Sequence, residues 1–116
     1  MSIIDPNLLD AETISTFLEM GNEVIASLVD LYIDNSTGEI ENMVQAARDG
    51  SMDNIKKVAH SLKGASLNMG ASAMGRLCLE IERNARENNL EGVREQINRL
   101  SGLLESTRQA YLKTYA

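Results

Sequence analysis

Apolar residues recur at helical spacing through four long stretches of this chain, and glycine or asparagine breaks separate them at Asp49-Gly50-Ser51, Gly70 and Asn88-Asn89. The only proline is Pro6, so nothing downstream of it forbids long helices. The pattern predicts a short helix from Ala11 to Met20, capped by Asp10 and stopped by Gly21. A second helix is expected from Asn22 to about Arg48, with Val24, Ile25, Leu28, Leu31, Tyr32, Ile40, Met43, Val44 and Ala47 as its apolar face and Gly38 as a candidate kink. Further helices are expected from Met52 to Met69, from Ser72 or Ala73 to about Glu87, and from about Leu90 to Tyr115. Four amphipathic helices on short turns make an all-α, up-and-down antiparallel four-helix bundle, with the Ala11 helix as a lid over one end. The whole of 1–116 reads as one domain.

Composition removes several functions. No apolar run reaches the roughly 20 residues of a membrane span, and the N-terminus lacks a basic-then-apolar leader, so a soluble cytoplasmic protein is expected. A formal charge of −6 argues against nucleic acid as a partner. There is no phosphate-binding loop of the Gly-x4-Gly-Lys type, no dinucleotide fingerprint, and no second histidine to pair with His60 on a metal. Cys78, the single cysteine, shares a stripe with Met74, Leu77, Ile81 and Ala85 and reads as buried filler. Glu39/Glu41 and Glu80/Glu82 stand two apart, on different helical faces, and read as solvated charge rather than as a paired acid and base.

His60, the only histidine, lies in the third long stretch. Projected at about 100° per residue, that stretch places Ile55, Val58, Leu62, Ala65, Ser66 and Met69 on the pole opposite His60, so the imidazole is expected to face solvent. Three of the four lysines, Lys56, Lys57 and Lys63, belong to the same segment. With Asp53 they give 52–69 a charge of +2, against −8 for the remainder. A positive patch on an acidic chain marks a seat for a negative group. Gly64, one turn beyond His60, is costly inside a helix by about 1 kcal/mol relative to alanine, and its missing side chain leaves room for a bulky partner over the imidazole. An exposed imidazole near pH 7 is a competent nucleophile toward phosphorus, since the ordinary histidine pKa is about 6.5. Lys63 is placed to stabilise the arriving phosphoryl charge.

The run His60-Ser61-Leu62-Lys63-Gly64 followed by Gly70 resembles the signature of histidine-containing phosphotransfer (HPt) domains, in which Lys-Gly follows the histidine at the third and fourth positions. Ala59, Asn68-Met69-Gly70-Ala71, Leu77-Cys78 and Ile81-Glu82 extend the likeness over most of the chain. Leu67 departs from it, since many relatives carry a small residue there. The resemblance implies a phosphorelay intermediate: His60 takes a phosphoryl group from the aspartate of a hybrid sensor kinase's receiver domain and passes it to a response regulator. In that family the receiver supplies Mg2+, and the bundle needs no cofactor and has no kinase activity of its own. Lys56, Lys57, Gly64 and Leu67 are then candidates for the docking face, on a protein expected to be a monomer. A helical adaptor binding a partner through the His60 face without chemistry is the alternative.

Overall fold

The computed structural model describes residues 3–116, and the described residues form five helices and no strand: α1 (Ala11–Glu19), α2 (Asn22–Arg48), α3 (Met52–Asn68), α4 (Ser72–Arg86) and α5 (Leu90–Tyr115). Helices α2 to α5 run up and down as a bundle with α3 between α2 and α4, and α5 closing it against α2 and α4. The expected boundaries hold to within a residue or two, and α2 continues unbroken through Gly38. Helix starts are set by local chemistry. The side chains of Asp10, Ser51 and Asn89 each accept from a free amide in the first turn of the helix that follows.

Helix α1 covers the end of the bundle where α3 turns into α4. The amide of Asp10 donates to the carbonyl of Gly70 at 2.7 Å, and the amide of Ala73 donates to the carbonyl of Leu8 at 3.4 Å. Gly70 has φ of +71°, and a Cβ there would stand 3.0 Å from Cβ of Thr13, so both backbone and space call for glycine. Leu9 and Ile14 are buried at this junction.

The core runs through all four long helices. On α4 the stripe Met74, Leu77, Cys78, Ile81 and Ala85 is buried as expected, and burial pushes the Cys78 thiol up to about 12, leaving it protonated filler. On α2 two expected core positions fail: Val24 and Leu31 are exposed, and Val29 and Ser36 are buried instead. The sequence offered a wide apolar arc, and only its Ile25, Val29, Tyr32, Ser36, Ile40 and Met43 side meets the neighbouring helices.

Two tyrosines anchor the second half of α3. The Tyr32 hydroxyl and Ser66 Oγ lie 2.6 Å apart in the core, and the Tyr111 hydroxyl donates to the carbonyl of Met69 at 2.7 Å. The two rings meet edge to face, with centroids 6.1 Å apart. Burial raises the Tyr32 hydroxyl to about 12, so it is a neutral hydrogen-bonding group at physiological pH. These contacts tie α3 to α2 and α5 and fix the rotation of the helix that carries His60.

Candidate functional site

The buried stripe of α3 consists of Ile55, Ala59, Leu62 and Ser66, while Val58, Ala65 and Met69 are only partly covered. It is turned by roughly 40° about the helix axis from the expected stripe, toward the side of Lys63. Helix α4 explains the turn, because it approaches α3 on that flank. At Gly75 the approach is close enough that an added Cβ would fall 2.7 Å from Cδ2 of Leu67.

The consequences differ along the helix. His60 stays outside, its side chain 73% exposed. Lys63, expected to face solvent, is only 21% exposed and reaches across to α4, where its ammonium lies 2.6 Å from Oε1 of Glu82. The other carboxylate oxygen of Glu82, Oε2, is 3.4 Å from Nδ1 of His60. Glu82 therefore touches both residues of the motif.

Glu82 corrects the sequence reading, which placed it among solvated charges. Its side chain is 9% exposed. Burial alone would raise its carboxyl, but the hydrogen bond and charge of Lys63, with His60 behind them, hold it below the usual carboxylate range. An ionised carboxylate is tolerated at the core's edge because the Lys63 ammonium lies against it. A signal for this was present. Glu82 follows Cys78 by four and Ile81 by one, so it stands within the apolar stripe of α4, where an acidic residue needs a partner.

The remaining candidates spread around His60. Lys56 is half-buried and pairs with Asp53 at 3.5 Å. Lys57 is exposed on the opposite flank, where it lines a shallow groove with Asn42 and Asn54, away from Glu82. Nothing lies within 4 Å of where a Cβ on Gly64 would be, so the surface one turn beyond His60 is open. Leu67 is 54% exposed, with its covered side resting on Gly75.

Nδ1 of the imidazole faces the Glu82 carboxylate. When Nδ1 carries the proton toward Glu82, Nε2 is the unprotonated nitrogen, and it points to solvent. The arrangement is a positioned nucleophile with a cation one turn away, on a rigid helix and beside open surface.

That fold and that motif define a histidine-containing phosphotransfer protein. The Hpt domain family model matches residues 27–110, and the chain belongs to that family. Among its relatives, the phosphorelay protein LuxU of Vibrio harveyi is 23% identical over 93 residues, covering 80% of this chain and 82% of LuxU. LuxU of Vibrio vulnificus strain YJ016 is 23% identical over 110 residues, covering 94% of this chain and 96% of LuxU. Among solved structures, histidine-containing phosphotransfer protein B (HptB) of Pseudomonas aeruginosa PAO1 superposes with a TM-score of 0.82 at 25% identity, over 90% of each chain. A putative histidine-containing phosphotransfer protein from rice superposes with a TM-score of 0.84 at 16% identity, over 94% of this chain and 82% of that one, which is a likeness of fold. The protein acts in phosphorelays, with receiver domains as its kind of partner.

Proposed function

We propose that His60 carries the phosphoryl group, on Nε2, between the aspartate of a hybrid sensor kinase's receiver domain and the aspartate of a response regulator. The observation that carries this reading is the exposed imidazole whose Nδ1 lies 3.4 Å from Glu82 while its other nitrogen is free. Lys63 is the electrostatic partner of the incoming group, reached by turning its ammonium from Glu82 toward the phosphoryl oxygens. Gly64 provides clearance for the receiver, and Leu67, Lys56 and Lys57 lie on the face on which it docks. Mg2+ belongs to the receiver. The His60 ring is flanked by a lysine and by a single carboxylate already engaged with that lysine, a donor set that suits an anion rather than a cation.

The protein is a carrier, and both motif residues and their carboxylate partner come from one chain, so a monomer holds the whole site. We place it in the cytoplasm with its receiver partners. Among the described residues no helix is long and apolar enough to cross a membrane.

The decisive experiment mixes the protein with a phosphorylated receiver domain and follows intact mass. Wild type should gain one phosphoryl group, labile to acid and stable to alkali as a phosphoramidate bond is, and His60→Gln should gain none. Equal labelling of both proteins would overturn the assignment.

A further inference from the structure

The bundle is closed along one edge and grooved along the opposite one. Helices α3 and α4 meet closely at Gly75, and their shared edge carries His60, Lys63 and Glu82. Across the bundle from them, α2 and α5 leave a seam of three hollows in a row. Ile33, Asp34, Arg108 and Leu112 help line the first, of about 310 Å³. Ile40, Glu41, Ser101 and Leu104 line the middle one, of about 320 Å³, and Val44, Arg48, Arg94 and Ile97 the last, of about 280 Å³. Ile33, Val44 and Leu112 are only half-buried here, so the seam is an apolar groove without a cover.

The charges on the seam are ordered about its middle. On α2, Asp34, Glu41 and Arg48 follow one another at a spacing of two helical turns, so they form one row with its ends about 10 Å either side of Glu41. On α5, which runs the other way, Arg94, Ser101 and Arg108 repeat that spacing. One end is acidic, because Asp30 and Asp34 line it and Arg108 beside them is already paired with Glu105 at 2.7 Å. The other end is basic, with Arg48 next to Arg94, whose Nη2 donates to the carbonyl of Ala47 at 3.3 Å. A face that is acidic at one end and basic at the other is complementary to its own copy turned end for end.

We propose that the α2/α5 seam is where two copies of this chain associate, as an antiparallel, two-fold symmetric dimer that dissociates readily. The axis passes at the level of Glu41 and Ser101. Helix α2 then lies along the second copy's α2, and α5 along its α5, with Asp34 of each copy facing Arg48 of the other. The symmetry makes that pair twice. A helix from another protein would have to match both ends by its own charges, whereas the second copy carries the match already.

Covering Ile33, Val44 and Leu112 supplies the attraction. The charges fix the register, since exposed ion pairs contribute little by themselves. Glu41 opposes the contact, because it meets its own copy near the axis, and this keeps the association weak. His60 lies on the far edge of each bundle, so both copies keep an open site. The inference is independent of which residue carries the phosphoryl group.

The test is sedimentation velocity on the full chain from micromolar to millimolar concentration. Wild type should be a monomer at the dilute end and approach twice that mass at the concentrated end, and added salt should shift the change to higher concentration. Asp34→Lys and Arg48→Glu, both at exposed positions, should each raise the dissociation constant by about tenfold or more, because each sets like charges opposite one another at two places. Mixed in equal amounts, the two variants should pair with each other more tightly than either pairs with itself: the two introduced charges face each other at one end, and native Arg48 and Asp34 at the other. Glu41→Gln should tighten the wild-type dimer severalfold, which tests the axis even if a charge reversal fails to fold. Circular dichroism checks each fold. A wild type that stays monomeric throughout would overturn the inference and leave the seam to another protein's helix or to solvent. Reversal variants that associate as wild type does, or a mixture that pairs no better than its components, would also overturn it.

Discussion

Lys63 Nζ and Glu82 Oε1 lie 2.6 Å apart, so the lysine of the phosphotransfer motif is bound to a carboxylate on the neighbouring helix before any phosphoryl group arrives. Lys63→Ala is therefore expected to do two things. It should slow transfer, by removing the charge that meets the phosphoryl oxygens. It should also lower stability by about 1 to 2 kcal/mol, because a nearly buried carboxylate loses its main partner. Rates of phosphoryl gain and urea unfolding on the same protein separate the effects. Unchanged stability would mean that the pair contributes nothing to the fold.

The same carboxylate makes stability depend on pH. The Glu82 carboxyl is held below its usual value of 4.5 in the folded chain. Its contribution is therefore complete above about pH 4.5 and is lost as pH falls through the lower folded value. Wild type should be more stable than Glu82→Gln at pH 7, and the gap should close on acidification into that range, where the wild-type side chain becomes a neutral acid. Urea unfolding of both proteins at neutral and acid pH measures the gap. A gap independent of pH would show that the loss comes from packing instead of charge.

Leu67 and Gly75 mark the close approach of α3 and α4. A Cβ at Gly75 would meet Cδ2 of Leu67 at 2.7 Å, and that methyl is the end of a half-exposed chain able to swing aside. Gly75→Ala gains helix propensity worth up to about 1 kcal/mol but must displace Leu67. The gain should be small in wild type and larger in a Leu67→Ala background. Unfolding energies of the four proteins in a double-mutant cycle test this, and strict additivity would deny the contact.

Much of the molecule was legible in the sequence because its signals are local. Apolar spacing, Asp10, Ser51 and the breaks at Gly50, Gly70 and Asn88 set helix limits without help from tertiary structure. His60 was legible because it lies far enough from the buried stripe that a rotation of roughly 40° leaves it outside. Lys63 lies at the edge of the stripe, where the same rotation decides between solvent and interface. Which way α3 turns depends on what packs against it, Gly75 of α4 and the tyrosines Tyr32 and Tyr111 of α2 and α5, none of which a helical wheel of α3 contains. Glu82 is hidden for a related reason: its spacing from Glu80 reads as solvated charge, whereas its place among Cys78, Ile81 and Ala85 puts it at the interface.

Gly64 separates the needs of the fold from those of the partner. Since nothing lies within 4 Å of a Cβ placed there, the bundle itself has no steric use for glycine at this position. Gly64→Ala should raise stability by up to about 1 kcal/mol through helix propensity alone. A longer side chain, as in Gly64→Gln, should also fold normally, and its reach would cover the open surface beyond His60. If that surface receives the docking domain, Gly64→Gln slows transfer from a phosphorylated receiver while phosphoramidate, which is small, still labels His60 at close to the wild-type rate. Parallel labelling by the two donors measures the difference. Equal slowing with both would place the obstruction on the imidazole itself, and no slowing with either would remove Gly64 from the docking face.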